Sequence, residues 1–510
     1  MDRDGSCKSL WQTTVNTYPS VYRFPRESAY DVAIVGGGIT GITLALMLQE
    51  SGKDCVLIEA HQLGFGSTGG TTAHINTFLD NSYSKIAKDF SEQTAGMVAQ
   101  AVQDSISLIK RNVGKYNISC SLEDMAGYVF SRSDDQTAEL EEIVSYCQKL
   151  GVLAEFIDVG ENDPTIQCIA KFEGQAQFNP LKYIQALAQQ FEKKGGTILQ
   201  YCRMESMEQN GQCLLQTSLG ALKAKQVVYA THIPPGVNVL HTLNAAYRSY
   251  VLGVSLLQSK EMPAGLMYDM EEPYHYYRRF KDKNQDILLI GGADHKTGDE
   301  ETENAYNELK SYALKNFHIR EIVYKWSSQY YESADGLAYI GELPGSEADV
   351  FVATGFGGNG MIYGSMAALI LHDLIIKGDS EYEKIFNPKR VKPLASFSKF
   401  VAENADVAKE LVKGKLSRER IEAFVELSFD EGRVVEYEGE KMGLYKDPVG
   451  NIFAVDPICP HMKCVVKWNQ MEKSWDCPCH GSRFSYTGEL LNGPAKHNLD
   501  IVQLQKQTSL

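Results

Sequence analysis

The sequence predicts an α/β domain with an inserted antiparallel sheet, followed by a small all-β domain. Three observations predict it. Residues 30–36 (YDVAIVG) are a buried-strand run that enters a Gly-rich turn and then an apolar helix through Gln49. Residues 246–295 are strand-rich, with the segments YVLGVSLL, GLMYDM, YHYYRRF and DILLIGGAD. From about residue 420 the chain is rich in short strands and turns and holds four of the eleven cysteines.

Taken in order, residues 1–29 form an N-terminal extension. Residues 54–59 (DCVLIE) are a second buried strand ending in an acid. Helix-period sequence runs from Ser84 to Arg111, with Ile86, Met97, Val98, Val102, Ile106 and Ile109 as its apolar stripe. Helices are predicted over 135–150 and, after Asn179-Pro180, over 180–194. Strands alternate through 197–230. The inserted sheet covers about 246–330, with a helix near 302–316 and a strand near 320–328. Residues 350–354 (VFVAT) form another buried strand, leading through a second Gly-rich turn into a buried helix over 361–376. The first unit then spans 30–377, a helical linker 378–419, and the all-β domain 420–510.

Composition supports a globular chain of about three domains at roughly 150 residues each. Hydrophobic residues make up 43% of the 510 and charged residues 23%. The net charge is -15, from 65 acids against 50 bases. An acidic chain lacks the basic face that nucleic acid requires. The opening MDRDGSCKSLW has no apolar core of a secretory signal, and no run of about 18 apolar residues suggests a membrane span. The expectation is a cytoplasmic protein, with peripheral membrane association left open.

Gly36-Gly37-Gly38-Ile39-Thr40-Gly41 fits G-x-G-x-x-G between a strand and a helix, and Glu59 closes the next strand. Gly36 permits the tight turn, Gly38 the approach of a pyrophosphate and Gly41 close helix–strand packing. Ile39 opens the helix whose N-terminus faces the phosphates. Glu59 suits a ribose diol. A second match, Gly355 to Gly360, lacks a following strand ending in an acid, so it does not predict a second dinucleotide site.

After Glu59 comes Gly64-Phe65-Gly66-Ser67-Thr68-Gly69-Gly70-Thr71-Thr72-Ala73-His74. Together with Val227-Val228-Tyr229-Ala230-Thr231, Asp335-Gly336-Leu337 and Ala353-Thr354-Gly355-Phe356, this resembles the D-amino-acid-oxidase-like (DAO) superfamily of FAD oxidoreductases over about 30–375. The resemblance implies a Rossmann-like FAD-binding domain. It places Gly66, Ser67 and Thr68 at the FAD pyrophosphate, Thr71 and Thr72 near the isoalloxazine, and the main chain around Met204 at the adenine. Ala230 and Thr231 close the same site, and the turn holding Gly357, Gly360 and Met361 approaches the pyrimidine end of the flavin. Gly69-Gly70 stand where some relatives carry a covalently attached histidine, so noncovalent FAD is expected. His74 is either a flavin neighbour or an ordinary turn residue.

Cys459-Pro460-His461-Met462-Lys463-Cys464 and Cys477-Pro478-Cys479-His480-Gly481-Ser482 carry the second cofactor signal. C-x-H followed by C-x-x-H offers two thiolates and two imidazoles. That set suits a Rieske [2Fe–2S] centre, where two cysteines hold one iron and two histidines the other. A Cys₂His₂ zinc site uses the same ligand types but does not account for Cys464 and Cys479. Residues about 420–505 resemble Rieske domains, with Gly493-Pro494-Ala495 as the loop covering the cluster. The resemblance implies Cys459, His461, Cys477 and His480 as iron ligands and a Cys464–Cys479 disulfide. Ser482 is kept, but Phe484 stands where high-potential members carry a tyrosine that bonds a ligand sulfur. A potential below the top of the Rieske range, roughly +300 mV, is therefore expected.

DAO relatives mostly oxidise C–N bonds of amino acids or amines. The joined cofactors imply an FAD-dependent dehydrogenase of a small amine or amino acid. Electrons would leave through the cluster to an external redox acceptor, a protein or a quinone. The whole chain resembles a bacterial group of FAD oxidoreductases with a C-terminal Rieske domain. Substrate candidates are Tyr268, His275, Tyr277, Arg278 and Arg279, an arginine to pair a carboxylate and aromatics to wall the flavin. The same residues also suit a plain exposed strand. Trp326, Gln329 and Tyr330 line that cavity or, for Trp326, pack in the core. An NAD(P)H-dependent electron-transfer reductase and a non-enzymatic redox sensor are the alternatives. A Rieske oxygenase is disfavoured, because no two remaining histidines share the tight spacing of a mononuclear iron site.

Overall fold

The computed structural model describes residues 3–19, 28–159, 164–282, 285–298, 304–347, 349–390, 427–437 and 440–503. A central sheet sets Tyr339–Glu342, Val350–Thr354, Gly220–Tyr229, Tyr30–Val35, Cys55–Ile58 and Thr197–Leu199 side by side. All neighbours run parallel except the first pair. Parallel strands are covered on both faces, which is why 30–35, 55–58 and 350–354 are apolar throughout. Val32, Ile34 and Leu57 face one buried cluster with helices Ile39–Glu50 and Gly360–Lys377. Ala33, Val35, Val56 and Ile58 face a second cluster with Leu199, Leu215 and Leu222.

Helix Gly360–Lys377 is long and apolar enough to cross a membrane by length and composition. Most of it is buried against Ile39–Glu50 and Glu92–Tyr116, so it packs as the core helix expected over 361–376. The helix expected from 84 to 111 is two helices, Tyr83–Asp89 and Glu92–Tyr116. Ser91 restarts the second by accepting from the Thr94 amide, so a cap interrupts the periodic stripe.

The sheet expected over about 246–330 is wider than the sequence implied. It orders Ile319–Ser333, Asn244–Leu256, Gln285–Lys296, Tyr276–Asp282, Leu266–Asp269, Glu123–Ser131, Cys168–Gln177 and His74–Ile75, with Ala154–Ile157 beside Cys168–Gln177. Its strands therefore come from both sides of the central-sheet segments. The joint is a parallel pairing of Leu266–Asp269 with Glu123–Ser131. Glu123–Ser131 opens on two acids and contains Gly127, and Cys168–Gln177 mixes lysine, glutamate and glycine, so neither shows a clean two-residue alternation.

The C-terminal unit has a three-stranded sheet, Glu431–Tyr437, Glu440–Lys446 and Ile452–Val455, and a four-stranded sheet from Lys467 to Asn492. Trp475, Phe484, Leu490 and Leu499 pack with the cysteines between them. Most of the expected linker lies outside the described residues. At its start, Arg390 pairs with Asp335 at 2.6 Å and donates to the Leu337 and Ala338 carbonyls.

Residues 3–14 are structured, unlike a simple extension. Helix Leu10–Thr14 is capped by Ser9, and Trp11 is fully buried. Arg3 and Asp4 lie in a buried ion cluster with Arg248, Glu472, Asp476 and Arg483, three guanidiniums against three carboxylates. Arg3–Asp4 is 2.8 Å, Arg483–Asp476 3.0 Å and Arg248–Glu472 3.7 Å. The Asp4 carbonyl accepts from Arg483, and Asp4 Oδ2 accepts from Asn492 at 2.9 Å. Burial alone would push the Asp4 carboxyl up. The guanidiniums of Arg3, Arg483 and Arg248 outweigh that and hold it well below the usual carboxylate range.

Candidate active site and metal centre

The first strand ends where the strand order turns, and a cavity opens there, as expected for an open α/β sheet. Gly36 has φ +116°, and a Cβ there would collide with the Ala230 carbonyl. A Cβ on Gly41 would overlap the Gly36 carbonyl oxygen, so glycine lets helix Ile39–Glu50 sit on the turn. Gly38 faces Thr68 Oγ1, which accepts from the Ile39 amide at 3.1 Å. Glu59 Oε2 accepts from Gly37 N at 2.7 Å and Oε1 from His61 N at 2.9 Å. Burial raises its carboxyl, and these amides partly offset that.

The cofactor residues expected from sequence, Gly41 apart, line this one cavity: Gly36, Gly38, Ile39, Glu59, Gly66, Ser67, Thr68, Thr71, Thr72, Met204, Ala230, Thr231, Gly357, Gly360 and Met361. Gly41 packs beneath. A cavity lined both by glycines at a helix N-terminus and by aromatic walls fits FAD.

Residues 66–74 are held by side chains that local sequence did not reveal. Ser9 donates to the Gly69 carbonyl at 2.5 Å, Trp326 to Gly70 at 2.7 Å and Trp11 to Thr71 at 2.6 Å. Arg278 donates to the Thr72 and Ala73 carbonyls at 2.8 and 2.9 Å and stacks on Trp11. Arg278 is thus committed to the flavin loop and does not line the cavity. Tyr277 turns to the opposite face, against Phe130 and Phe317, and Arg279 is surface-exposed beside Glu123. His275 stacks on Tyr312 and bonds Asp269 at 2.9 Å. The strand alternation fixes this: with Tyr276 facing the cavity, Tyr277 and Arg279 must face away. Trp326 is core.

The expected residues that do reach the cavity are His74, Tyr268, Gln329 and Tyr330, joined by Asn76, Asp80, Tyr274, Tyr276 and Asp294. Tyr268 donates to Asn76 at 3.0 Å, so His74 Nδ1, 2.8 Å from the same hydroxyl, carries the proton. Its Nε2 is buried without a protein partner. Burial, then the Arg278 charge, holds His74 well below the ordinary imidazole value, so the ring is neutral.

Asp80 accepts from Gly358 N at 2.9 Å, and Asp294 Oδ2 accepts from Tyr330 at 2.9 Å. Both carboxyls open onto the cavity, Asp80 exposed to it and Asp294 half-buried in its wall. Burial pushes Asp80 up to about 6 and Asp294 up to about 7. A carboxyl raised on folding stabilises below its unfolded value and loses that contribution as pH rises through its folded value. Asp294→Asn should therefore raise Tm relative to the parent more at pH 8 than at pH 4. Calorimetry of the two proteins at both values checks this; an equal shift contradicts it.

In the C-terminal unit, Cys464 and Cys479 form a disulfide. Cys477 Sγ lies within 4.8 Å of both its sulfurs, but these are bonded to each other and are not thiolate ligands. Cys459 and Cys477 are both buried, with their thiols facing each other. The Cys477 thiol, against the opposing effect of burial, holds Cys459 below the ordinary thiol value. The rings of His461 and His480 are 5.0 Å apart, and both Nδ1 atoms are buried without partners. Two facing thiols and two orphaned imidazole nitrogens are the donor set a [2Fe–2S] Rieske cluster requires.

Ser482 accepts from the Ala495 amide at 3.0 Å, whereas Phe484 is fully buried beside the cysteines and offers no donor. Phe484→Tyr should raise the cluster potential by about 40 mV, the one-electron equivalent of a hydrogen bond of about 1 kcal/mol. Film voltammetry measures it, and an unchanged or lower potential contradicts it.

The cluster loops dock on the flavin unit. Gln329 donates to the Gly481 carbonyl at 2.8 Å, and its own carbonyl accepts from Ser67 at 2.6 Å. Tyr331 donates toward the His480 and Gly493 carbonyls, both at 3.3 Å. His461 Nε2 donates to the Gly236 carbonyl at 3.1 Å, and His241 packs against both histidines. Leu490 to Gly493 line the same cavity as the Gly36 turn.

Residues 31–374 match the FAD dependent oxidoreductase family (DAO), and 421–503 match the Rieske [2Fe-2S] domain. A Bacillus subtilis (strain 168) protein described as a Rieske 2Fe-2S iron-sulfur protein, YhfW, is 33% identical over 505 residues, covering 98% of each chain. Gamma-glutamylputrescine oxidoreductase of Escherichia coli (strain K12) is 24% identical, over 73% of this chain and 89% of its own. Glycine oxidase from Geobacillus kaustophilus superposes with TM-score 0.60 at 19% identity, over 71% of this chain and 99% of that one. With the two cofactor sites in place on these folds, the chain belongs to the DAO family of FAD-dependent oxidoreductases and carries a Rieske [2Fe-2S] domain.

Proposed function

We propose that this oxidoreductase dehydrogenates the C–N bond of a small amine or amino acid and passes the electrons through its own Rieske cluster to an external acceptor. The hydrogen-bonded junction from Ser67 through Gln329 to Gly481 carries this reading, because it joins the flavin cavity to a cluster loop directly. FAD bound there would supply two-electron hydride acceptance, and the cluster one-electron transfer. The Gly36–Gly41 turn, Glu59 and residues 66–72 hold the dinucleotide in this reading. Cys459 and Cys477 ligate one iron, and His461 and His480 the other. Tyr268, Tyr276 and His74 wall the reacting end, and the neutral His74 Nε2 is placed to accept a proton. The gamma-glutamylputrescine and glycine oxidoreductases among its relatives support C–N chemistry.

Anaerobic mixing with a panel of amines and amino acids tests the reading through flavin bleaching. Bleaching by a member of the panel is the expected result. Bleaching by NADH or NADPH alone would overturn it in favour of a nicotinamide-dependent reductase.

A further inference from the structure

The reacting end of the cavity has an unbalanced charge. Tyr268, Tyr274, Tyr276 and Tyr330 line it together with Asp80 and Asp294. Asp294 Oδ1 is buried with no hydrogen-bond partner. Among the described residues, the cavity lining holds two side chains of permanent positive charge, Arg203 and Lys496. Neither serves this end. Arg203 reaches His61 at 3.0 Å and the Leu490 carbonyl at 3.1 Å beside the Glu59 end. Lys496 packs over Gly236 at the Rieske junction. Arg278, the arginine whose position in sequence suggested carboxylate recognition, spends its guanidinium on the flavin loop.

Two carboxylates sharing a low-dielectric cavity repel each other, and each is costly without a counter-charge. A substrate carboxylate would bring a third anion with no cation to receive it. An ammonium group would do the opposite: it pairs with Asp294 Oδ1 and meets the electron-rich faces of the tyrosines.

We infer that the substrate is a cationic amine without an α-carboxylate, held between the carboxylates of Asp80 and Asp294 and the tyrosine walls. This class presupposes the C–N dehydrogenation proposed for the site.

The test compares pairs that differ by one carboxylate, using the full chain loaded with FAD and cluster. Butylamine is set against norvaline, and 1,4-diaminobutane against ornithine, with anaerobic flavin bleaching as the readout. The amine of each pair should give kcat/KM about a hundredfold higher or more. Norvaline or ornithine bleaching the flavin as well as its amine overturns the amine assignment and leaves C–N dehydrogenation standing. A second arm needs no turnover. Tetramethylammonium binding is measured by calorimetry in the parent, Asp294→Asn and Asp80→Asn, with flavin content checked by absorbance. Loss of about tenfold or more in affinity in either variant is expected. Absent binding, or binding that both substitutions leave unchanged, overturns the inference even if no compound tried is oxidised.

Discussion

Cys477→Ala is expected to abolish the iron–sulfur centre while FAD stays bound. Cys477 is buried with its thiol against Cys459, and among the described residues no free thiol beside them can take its place, because the nearby sulfurs of Cys464 and Cys479 are spent on the disulfide. Three remaining donors cannot hold both irons of a cluster whose two ends need two ligands each. Iron content should fall to near zero, and the EPR signal of the dithionite-reduced protein should disappear. The flavin cavity draws its lining from the other unit and, on the Rieske side, from Leu490 to Lys496, not from Cys477. The flavin-to-protein absorbance ratio should therefore match the parent. Retained iron with an unchanged EPR spectrum would contradict the ligand set. Loss of FAD together with iron would show the two units cannot be loaded separately.

Asp4→Ala should cost about 3–5 kcal/mol, the expected loss when one partner of a buried ion cluster is removed. Arg3 and Arg483 would stay buried beside the vacancy, in a cluster left with three guanidiniums against two carboxylates. The cluster spans the N-terminal segment, the antiparallel sheet through Arg248 and Ser327, and the Rieske unit through Glu472 and Arg483. Calorimetry should show a lower Tm, and limited proteolysis should cut earlier between the two units. Asp4→Ala with a parental Tm would mean that the cluster does not hold them together.

Much of this was legible in sequence where one short segment carries a complete chemical requirement. The Gly36–Gly41 turn needs only its own strand and helix, and the two cysteine–histidine boxes each bring half of a ligand set. The disulfide followed from the same boxes by resemblance. What stayed hidden depends on partners far along the chain. Ser9, Trp11, Trp326 and Arg278 reach residues 69–73 from four separate places, so no local pattern marks them. On 274–279 the parity of the strand was not set by sequence. Tyr274 and Tyr276 face the cavity, while Tyr277 and Arg279 face away. Asp80 and Asp294 belong to no local motif and gain meaning only where the fold brings them to one cavity.

Transfer of electrons from substrate to cluster within one chain is the central claim. It is tested by mixing the anaerobic, FAD- and cluster-loaded protein with an oxidisable amine and freezing samples for EPR as flavin absorbance is followed. The reduced Rieske signal should grow in after flavin bleaching, without a mediator and at a rate independent of protein concentration. A flavin that bleaches while the cluster stays oxidised until a mediator is added would contradict it.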